Sequence, residues 1–321
     1  MTLTIRDRDA LFALGRALEA AHYRFTTLTP ASHQRVNARP GNEQAHDLRG
    51  VFGWSRPFAA GAIDPGIVDL MRRAGVLDTS GTLMRSLVRA STLGERCYFH
   101  SAYPTLDDDA VFFGPDTYRF VAAIERELRK LAAPPARVID IGCGAGPGAV
   151  QIARRFPDAT VIAADINPAS LALVSINAGL AGARNVTPAA SNLLAGVAGE
   201  FDLIVSNPPF MQDPGQRAYR AGGGAHGAGL SLEIVSTAME RLRPGGSLLL
   251  YTGVAISADR DSFLAAIAPV LDAACQAWTY EELDPDVFGE ELATPSYAGV
   301  ERIAAVWLHA VKRTRMRKSD H

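Results

Sequence analysis

The sequence predicts an α/β fold with a mainly parallel sheet, preceded by a smaller helical module. Its 321 residues are enough for two domains of ordinary size. From about Val138, short apolar runs alternate with helix-like segments, which is the pattern of strands and helices on a parallel sheet. The preceding residues lack this alternation. The predicted division is a first module at 1–110, the α/β domain at 111–313 and a basic tail at 314–321.

The composition indicates a globular protein of the reducing cytoplasm. Apolar residues make up 48% of the chain, so a packed core can form. The three cysteines are far apart and lack CxxC spacing, which argues against a disulfide framework and a zinc site. A formal net charge of −2 provides no general attraction to polyanions. Neither a membrane span nor a signal peptide is predicted, because charges interrupt the apolar runs.

The first module is predicted to contain helices followed by a hairpin. Asp7–Tyr23 and Pro65–Ala74 have helical patterns, while Met84–Ala90 and Glu95–His100 are β-compatible runs on either side of a turn signal. This order suggests a helical or winged-helix-like unit. This unit would act either as a lid over a site or in nucleic-acid recognition. Because its positive charge is only slight, the lid is favoured.

Seven strands and their connecting helices account for the rest of the chain. The helix Thr117–Leu131 leads into the sheet, and Arg302–Val311 is expected to insert antiparallel as the last strand. The predicted strands are Arg137–Ile141, Thr160–Ala164, Val186–Ala190, Leu203–Ser206, Ser247–Tyr251, Ala274–Tyr280 and Arg302–Val311. The predicted intervening helices are Gly148–Phe156, Ala169–Leu180 and Leu230–Leu242.

A glycine-rich turn follows the first predicted strand of the sheet. Gly142, Gly144 and Gly146 allow the backbone to turn sharply and to approach a ligand closely. Asp140 precedes them at the strand end, where a carboxylate can meet a cationic amino group. A dinucleotide frame starting at Gly142 fails at Pro147, whereas a frame shifted to Gly144 survives as a second interpretation. The pattern resembles motif I of class I methyltransferases, whose glycines pass under the methionine and ribose of S-adenosylmethionine.

The next two strand ends provide further candidates for cofactor binding. Asp165 at the tip of the second strand can accept hydrogen bonds from both ribose hydroxyls, while Asn167 and Pro168 supply the cap of the following helix. Ile166 would then lie against the adenine. After the third strand come Asn192 and Leu193, where the methyltransferase family commonly has an acidic residue on the adenine amino group; the Asn192 carbonyl can accept the same hydrogen bond.

The fourth strand ends in Asn207-Pro208-Pro209-Phe210. Two prolines fix the backbone and cannot donate hydrogen bonds, so the Pro208 carbonyl can face outward as an acceptor. The segment resembles the Asn/Asp-Pro-Pro-aromatic motif of methyltransferases that modify planar nitrogens, including adenine-N6, guanine-N2 and release-factor glutamine enzymes. The resemblance implies that Asn207 and the Pro208 carbonyl hold the target NH2, and that Phe210 packs on the flat group.

Two further segments carry weaker signals. Val111–Thr117 partly resembles the Pro-Arg-Pro-Glu-Thr segment of glutamine methyltransferases; Thr117 would reach the cofactor, or Asp116 or Thr117 would cap the next helix. The glycine-rich segment Gln212–Gly229 is predicted to be a gating loop. Its His226 is either a substrate contact or a solvated residue.

Together these motifs predict a Rossmann-like, seven-stranded methyltransferase sheet whose last strand is antiparallel. The resemblance implies an enzyme that uses S-adenosylmethionine to methylate a planar amino or amide nitrogen of a macromolecule, which can be RNA, DNA or protein. A small-molecule amine acceptor, a nicotinamide dehydrogenase and a non-catalytic cofactor-binding module remain as alternatives.

Overall fold

The chain alternates helices and strands over most of its length. A computed structural model describes residues 4–314, apart from 214, 216 and 218. The helices are α1 (Arg8–Ala20), α2 (Pro30–Asn37), α3 (Pro65–Ala74), α4 (Pro115–Leu128), α5 (Pro147–Arg155), α6 (Pro168–Leu180), α7 (Gly229–Arg241) and α8 (Ser262–Ala274). The strands are β1 (Leu77–Asp78), β2 (Arg85–Ser86), β3 (Val88–Leu93), β4 (Arg96–Ser101), β5 (Arg137–Ile141), β6 (Thr160–Asp165), β7 (Val186–Ala190), β8 (Phe201–Ser206), β9 (Leu242–Ser257), β10 (Arg260–Asp261), β11 (Cys275–Asp284) and β12 (Arg302–Lys312).

Two predictions concern the C-terminal tail and membrane-spanning helices. The predicted basic tail lies outside the described residues from position 315 onward. Among the helices of the described part, none combines the length and apolar character needed to cross a bilayer.

Seven strands form the main sheet, in the order β11, β12, β9, β8, β5, β6 and β7. Strands β5 to β9 pair in parallel, whereas β12 runs antiparallel between β9 and β11. The short β10 pairs with the end of β9. The predicted seven-stranded α/β sheet with an antiparallel last strand is therefore confirmed.

The predicted bounds agree closely in the parallel half of the sheet and less well at β9. Arg137–Ile141 and Val186–Ala190 are strands with the expected limits. The strand predicted at Ser247–Tyr251 instead spans Leu242–Ser257, because it pairs with β8 at its start and with β12 up to Ile256. The added residues include glycines and polar side chains, so the apolar pattern shows only the middle of the strand.

The hairpin of the first module differs from its prediction. The run Met84–Ala90 is divided: β2 pairs with β1, and the hairpin proper starts at Val88 and pairs with β4. The reason is local. The Ser86 hydroxyl donates to the carbonyl of Val88 and accepts from its N–H, which satisfies these groups without a partner strand. Helices α1 and α3 appear where predicted.

The first module packs directly on the α/β domain. One continuous apolar core extends from Leu11 in α1 to Trp307 in β12. Helix α1 crosses α6 at Gly15, where a Cβ would overlap the side chain of Leu180. The described residues before position 110 therefore share their core with the domain that follows, and the boundary near residue 110 stays a prediction.

A buried asparagine connects the hairpin to the α/β domain. Asn177 in α6 has no exposed surface. Its Oδ1 accepts from the Phe99 N–H at 2.9 Å, and its Nδ2 donates to the carbonyls of Phe99 and Ala145 at 3.0 and 2.8 Å. One side chain therefore holds β4 and the glycine-rich turn after β5 against the same helix.

Replacing this side chain should destabilise the whole molecule. Asn177→Ala leaves buried backbone groups of β4 and of the glycine-rich turn without partners, so we expect a loss of about 2–4 kcal/mol in the free energy of unfolding. Ser175→Ala on the same helix removes only a bond to the Leu171 carbonyl and should change this free energy by less than about 0.5 kcal/mol. Urea unfolding of both variants checks this. Equal effects would show that Asn177 does not hold the two units together.

Candidate active site

Three strand ends meet at one edge of the sheet. The register pairs Ile141 of β5 with Ala164 of β6 and with Ser206 of β8. The residues that follow, Gly142, Asp165 and Asn207, therefore leave the sheet side by side. Since β6 lies on one side of β5 and β8 on the other, this is the point where the strand order reverses, and open α/β sheets bind ligands in the crevice there.

The glycine-rich turn after β5 uses left-handed backbone at three positions. Gly142, Gly144 and Gly146 have φ of 67°, 52° and 84°, values that residues with a Cβ rarely adopt. A Cβ on Gly142 would face open space and one on Gly144 would only touch the Phe112 carbonyl oxygen at 3.9 Å, whereas a Cβ on Gly146 would overlap Val174 of α6. Gly142 and Gly144 therefore leave room beside the backbone for a ligand, and Gly146 allows the turn to pack on α6.

Asp140 is buried beneath the turn. Its Oδ2 accepts from the Ala149 N–H at 2.9 Å, in the first turn of α5. Among the described residues its Oδ1 has no hydrogen-bond donor. The pKa of this carboxyl is raised from 3.8 to about 7, mainly by burial and also by the charge of Asp165, while the Ala149 hydrogen bond lowers it. The structure thus provides a carboxyl group that a neighbouring cation would ionise.

Asp165 pins the turn from the adjacent strand. Its Oδ2 accepts from the Gly144 N–H and its Oδ1 from the Asn167 N–H, both at 2.9 Å. Asn167, not Asp165, caps α6 by accepting from the Ala169 N–H, and Pro168 follows it as expected. Burial raises the pKa of Asp165. Each carboxylate oxygen can accept a second hydrogen bond, so the group can hold the turn and a ligand hydroxyl together.

One cavity of about 220 Å³ opens at this edge of the sheet. Every candidate from the sequence except Gly146 and His226 lines it, which brings residues from five separate segments together. These are Thr117, Asp140, Gly142, Gly144, Asp165, Ile166, Asn192, Leu193, Asn207, Pro208, Pro209 and Phe210.

The side of the cavity formed by β6 and β7 is apolar with polar margins. Ile166 leaves 59% of its side chain exposed, although it is a large apolar residue. Asn192 is exposed beside it. Leu193 adopts a φ of 49°, and the Ser191 hydroxyl fixes this bend by donating to the Leu193 carbonyl and accepting from the Gly196 N–H. This surface suits a flat aromatic group.

The segment after β8 forms the opposite side of the cavity. Among the described residues the Asn207 side chain has no hydrogen-bond partner, so its amide is free toward the cavity. Phe210 is only 7% exposed: its ring lies 5.7 Å from that of Phe288 and 6.4 Å from that of Tyr251, and it covers Gly253. Most of this ring therefore belongs to the core, and only a small part of the residue is open to the cavity.

The glycine-rich segment packs against the backbone of Phe210. A Cβ on Gly222 or Gly227 would overlap this backbone, and reciprocal hydrogen bonds join Met211 to residues 220 and 222. These glycines allow close packing against the backbone of Phe210. The sequence alone explains them only by the mobility of a gating loop. His226 does not line the cavity; its ring stacks on Tyr297 with centroids 6.1 Å apart.

Several residues at the cavity were not predicted. The Tyr251 hydroxyl donates to Asp116 Oδ1 at 2.7 Å, and burial raises the pKa of Asp116. Phe112 stacks on Tyr219 at the rim, with centroids 6.3 Å apart. The sequence predicts Asp116 only as an alternative cap of the following helix. The isolated aromatic residues carry no periodic signal. The Thr117 hydroxyl accepts from the Gly114 N–H at the start of α4, and Thr117 also lines the cavity; its contact with a cofactor stays a prediction.

Comparisons with known proteins agree with this arrangement. The family model described as "Methyltransferase small domain" matches residues 126–260. The release factor glutamine methyltransferase of Deinococcus radiodurans is 35% identical over 159 residues, which cover 46% of this chain and 55% of the relative. That of Geobacter sulfurreducens is 38% identical, covering 41% and 50%. The chain spans about half the length of these curated relatives.

Further similarity is found to proteins that act on RNA. Ribosomal RNA small subunit methyltransferase C of Pasteurella multocida is 40% identical over 35% of this chain and 31% of its own. The crystal structure of the M. jannaschii tRNA m1G37 methyltransferase aligns with a TM-score of 0.47 at 16% identity, covering 71% of this chain and 58% of that one.

The family match covers β5 to β9, the same strands whose ends build the cavity. The glycine-rich turn, the acidic end of β6 and the Asn-Pro-Pro-Phe segment all lie within it. Residues 126–260 therefore match a methyltransferase small domain, and the sheet has the class I, Rossmann-like methyltransferase arrangement.

Proposed function

We propose that this protein is an S-adenosylmethionine-dependent N-methyltransferase that acts on a planar amino or amide nitrogen of a macromolecule. The observation that carries the proposal is the free side-chain amide of Asn207, which lies directly after β8 and faces the same cavity as the glycine-rich turn. The release factor and ribosomal RNA enzymes among its relatives support a macromolecular acceptor.

The residues of the cavity fit S-adenosylmethionine. Gly142 and Gly144 leave open space beside the backbone, and the free Oδ1 of Asp140 suits an ammonium group. Asp165 retains acceptor capacity for ribose hydroxyls, while the exposed side chain of Ile166 and the Asn192 amide suit adenine. When bound, this cofactor supplies an electrophilic methyl group.

Catalysis depends on orienting the acceptor group and does not require a strong base. The Asn207 side-chain oxygen and the Pro208 carbonyl oxygen can each accept a hydrogen bond from one N–H of a planar NH2 group. Held in this way, the nitrogen can pyramidalise and direct its lone pair toward the cofactor side of the cavity, so these preorganised acceptors stabilise the charge that develops on it. The exposed part of Phe210 limits the position of the flat group.

The module before position 110 is proposed to select the acceptor. Among the described residues, none before Ala110 lines the large cavity. The module can therefore contact the part of a macromolecular acceptor that lies outside the cavity. A cytoplasmic location fits the proposed macromolecular substrates. A small-molecule amine is the alternative acceptor. A dehydrogenase is disfavoured because hydride transfer does not need the Asn-Pro-Pro-Phe segment.

Labelled cofactor tests the proposal directly. The full chain is incubated with methyl-labelled S-adenosylmethionine and separate protein, RNA, DNA and metabolite fractions. Label in a macromolecular fraction, at nitrogen, is the expected result. Label in the metabolite fraction alone would favour the small-molecule alternative, and label in no fraction would contradict the proposed transfer.

The role of Asn207 predicts an effect on turnover more than on cofactor binding. Asn207→Ala should lower kcat by about a hundredfold or more, since it deletes one preorganised hydrogen-bonding group, while cofactor affinity falls far less. Asn192→Ala is the matched control in the same cavity. It should weaken cofactor binding and leave turnover at saturating cofactor nearly unchanged. If Asn207→Ala keeps near-normal turnover, another residue orients the acceptor.

The raised pKa of Asp140 predicts that cofactor binding depends on pH. The protonated carboxyl cannot pair with the cofactor ammonium, which itself stays charged below about pH 7.7. Affinity should therefore fall as the pH decreases below about 7, approaching tenfold per pH unit. Asp140→Asn keeps an acceptor for the Ala149 N–H but should bind weakly with little pH dependence. Calorimetry from about pH 5.5 to pH 7 measures this.

The exposed Asp158 provides the control, because Asp158→Asn should retain the wild-type pH profile. An unchanged profile in Asp140→Asn would mean that another group controls the binding.

A further inference from the structure

A second buried carboxyl group lines the large cavity and has no part in the proposed binding of the cofactor. Asp116, in the first turn of α4, is 3% exposed. Its Oδ1 accepts from the Tyr251 hydroxyl at 2.7 Å and lies 3.4 Å from Nη1 of Arg119. Among the described residues, no other residue donates a hydrogen bond to its Oδ2. The carboxyl group is therefore held through one oxygen only.

The free oxygen of Asp116 faces the cavity. In the described part of the chain, the sealed side-chain nitrogen and oxygen atoms without a hydrogen-bond partner are Nδ1 of His33 and Nε1 of Trp307. Oδ2 of Asp116 is not one of them, so it is in contact with open space. Because the residue is buried and lines the cavity, this space is the cavity itself. The oxygen can therefore accept a proton or a hydrogen bond from a ligand.

Asp116 lies on the side of the cavity where the methyl acceptor is proposed to bind. The register of β8 and β9 makes Asn207 and Tyr251 neighbours on adjacent strands. Tyr251 points to the face of the sheet that α4 covers, where its ring lies 6.5 Å from that of Phe120. Its hydroxyl contacts Asp116 on this face. The carboxyl group is thus next to the strand end that presents Asn207.

The surroundings of Asp116 produce a carboxylate of increased basicity. Burial raises its pKa, and the charge of Asp284 adds to this effect. The Tyr251 hydrogen bond and the charge of Arg119 lower the pKa and so favour the ionised form. The first turn of a helix also stabilises a negative charge. The group remains a carboxylate that is more basic than an exposed aspartate.

We propose that Asp116 takes up the proton that the acceptor nitrogen releases after methyl transfer. This inference rests on the proposed N-methyl transfer. The nitrogen lone pair forms the bond to the methyl carbon, the electron pair of the carbon–sulfur bond goes to sulfur, and the nitrogen becomes positively charged. One N–H bond then breaks: its electron pair stays on nitrogen, and its proton goes to Oδ2 of Asp116, directly or through one water molecule. The carboxyl group later returns this proton to solvent.

This role is separate from that of Asn207. During the transfer the nitrogen needs only to be oriented, because its own lone pair is the nucleophile. After the transfer the cationic nitrogen is acidic, so a carboxylate is a sufficient base. Tyr251 is a positioning residue, since its hydroxyl contacts Asp116 and the residue does not line the cavity.

Single-turnover methyl transfer tests the inference, with the full chain, saturating S-adenosylmethionine and the extract fraction that the wild type labels. The wild-type rate should fall as the pH decreases through the pKa of Asp116, because a protonated carboxyl cannot accept a proton. Asp116→Asn keeps an oxygen for the Tyr251 hydroxyl. It should lower the rate by about a hundredfold and remove this pH dependence. Saturating cofactor excludes the effect of Asp140, which also lines the cavity and titrates with cofactor binding.

Two further variants separate proton uptake from a structural role. Tyr251→Phe removes a hydrogen bond that lowers the pKa of Asp116, so the fall in rate should begin at a higher pH than in the wild type. Asp284→Asn is the matched control. Asp284 pairs with Arg119 at 2.7 Å and does not line the cavity, so this variant should keep both the rate and its fall at acidic pH.

Two measurements do not depend on methyl transfer. Infrared difference spectra between acidic and neutral pH should show a carboxyl C=O band in the wild type that is missing in Asp116→Asn. Calorimetry should give both proteins the same affinity for S-adenosylmethionine. Identical infrared spectra would show that Asp116 does not change its protonation, and would refute the proposal. Weaker cofactor binding with an unchanged rate would assign Asp116 to the cofactor instead.

The kinetic outcomes are equally distinct. A rate and pH profile of Asp116→Asn equal to those of the wild type would make Asp116 a structural residue only. If this variant does not fold, an unshifted profile in Tyr251→Phe would contradict the inference, and a shifted one would support it. No transfer by the wild type to any fraction would refute the proposed N-methyl transfer, and with it this inference.

Discussion

The left-handed turn after β5 is the constraint on which the site depends. Its backbone is held from three directions: Asp165 accepts the Gly144 N–H, Asn177 donates to the Ala145 carbonyl, and Asp140 accepts an N–H from the first turn of α5. None of these bonds lies within the turn itself. The turn keeps its shape because β6, α6 and β5 are already in place, and it opens the space that the cavity occupies.

The same bonds link the first module to the chemistry. Asn177 contacts β4 with the same side chain that holds the turn. A second, small cavity lined by Arg89 of the first module shares Val111 and Phe112 with the large one. A module that packs against α6 in this way can present an acceptor to the strand ends without itself contributing to the cofactor surface. This arrangement supports the proposal that the first module selects the acceptor while the strand ends bind the cofactor.

The sequence predicted best the features that are encoded locally. Strands β5 and β7 appear with the expected limits, since short apolar runs bounded by glycine or polar residues determine them. The cavity residues at Asp140, Asp165 and Asn207 were found because chemistry at the carboxyl ends of parallel strands follows from topology. Gly146 was grouped with the cofactor glycines, whereas the structure uses it to pack on Val174.

Features that depend on distant partners were not predictable in this way. The length of β9 depends on its pairing with β12, which lies about fifty residues further along the chain. The contact between Asp116 and Tyr251 joins residues 135 positions apart. The buried Arg89 of β3 donates to the Gly53 carbonyl and to the Thr27 hydroxyl, which lie 36 and 62 positions away.

The central claim is that the strand-end cavity binds S-adenosylmethionine, and calorimetric titration of the full chain tests it most directly. S-adenosylmethionine and its demethylated product should both bind with one-to-one stoichiometry, and NAD should show no detectable heat of binding. Binding of NAD in preference to S-adenosylmethionine, or binding of neither, would contradict the account.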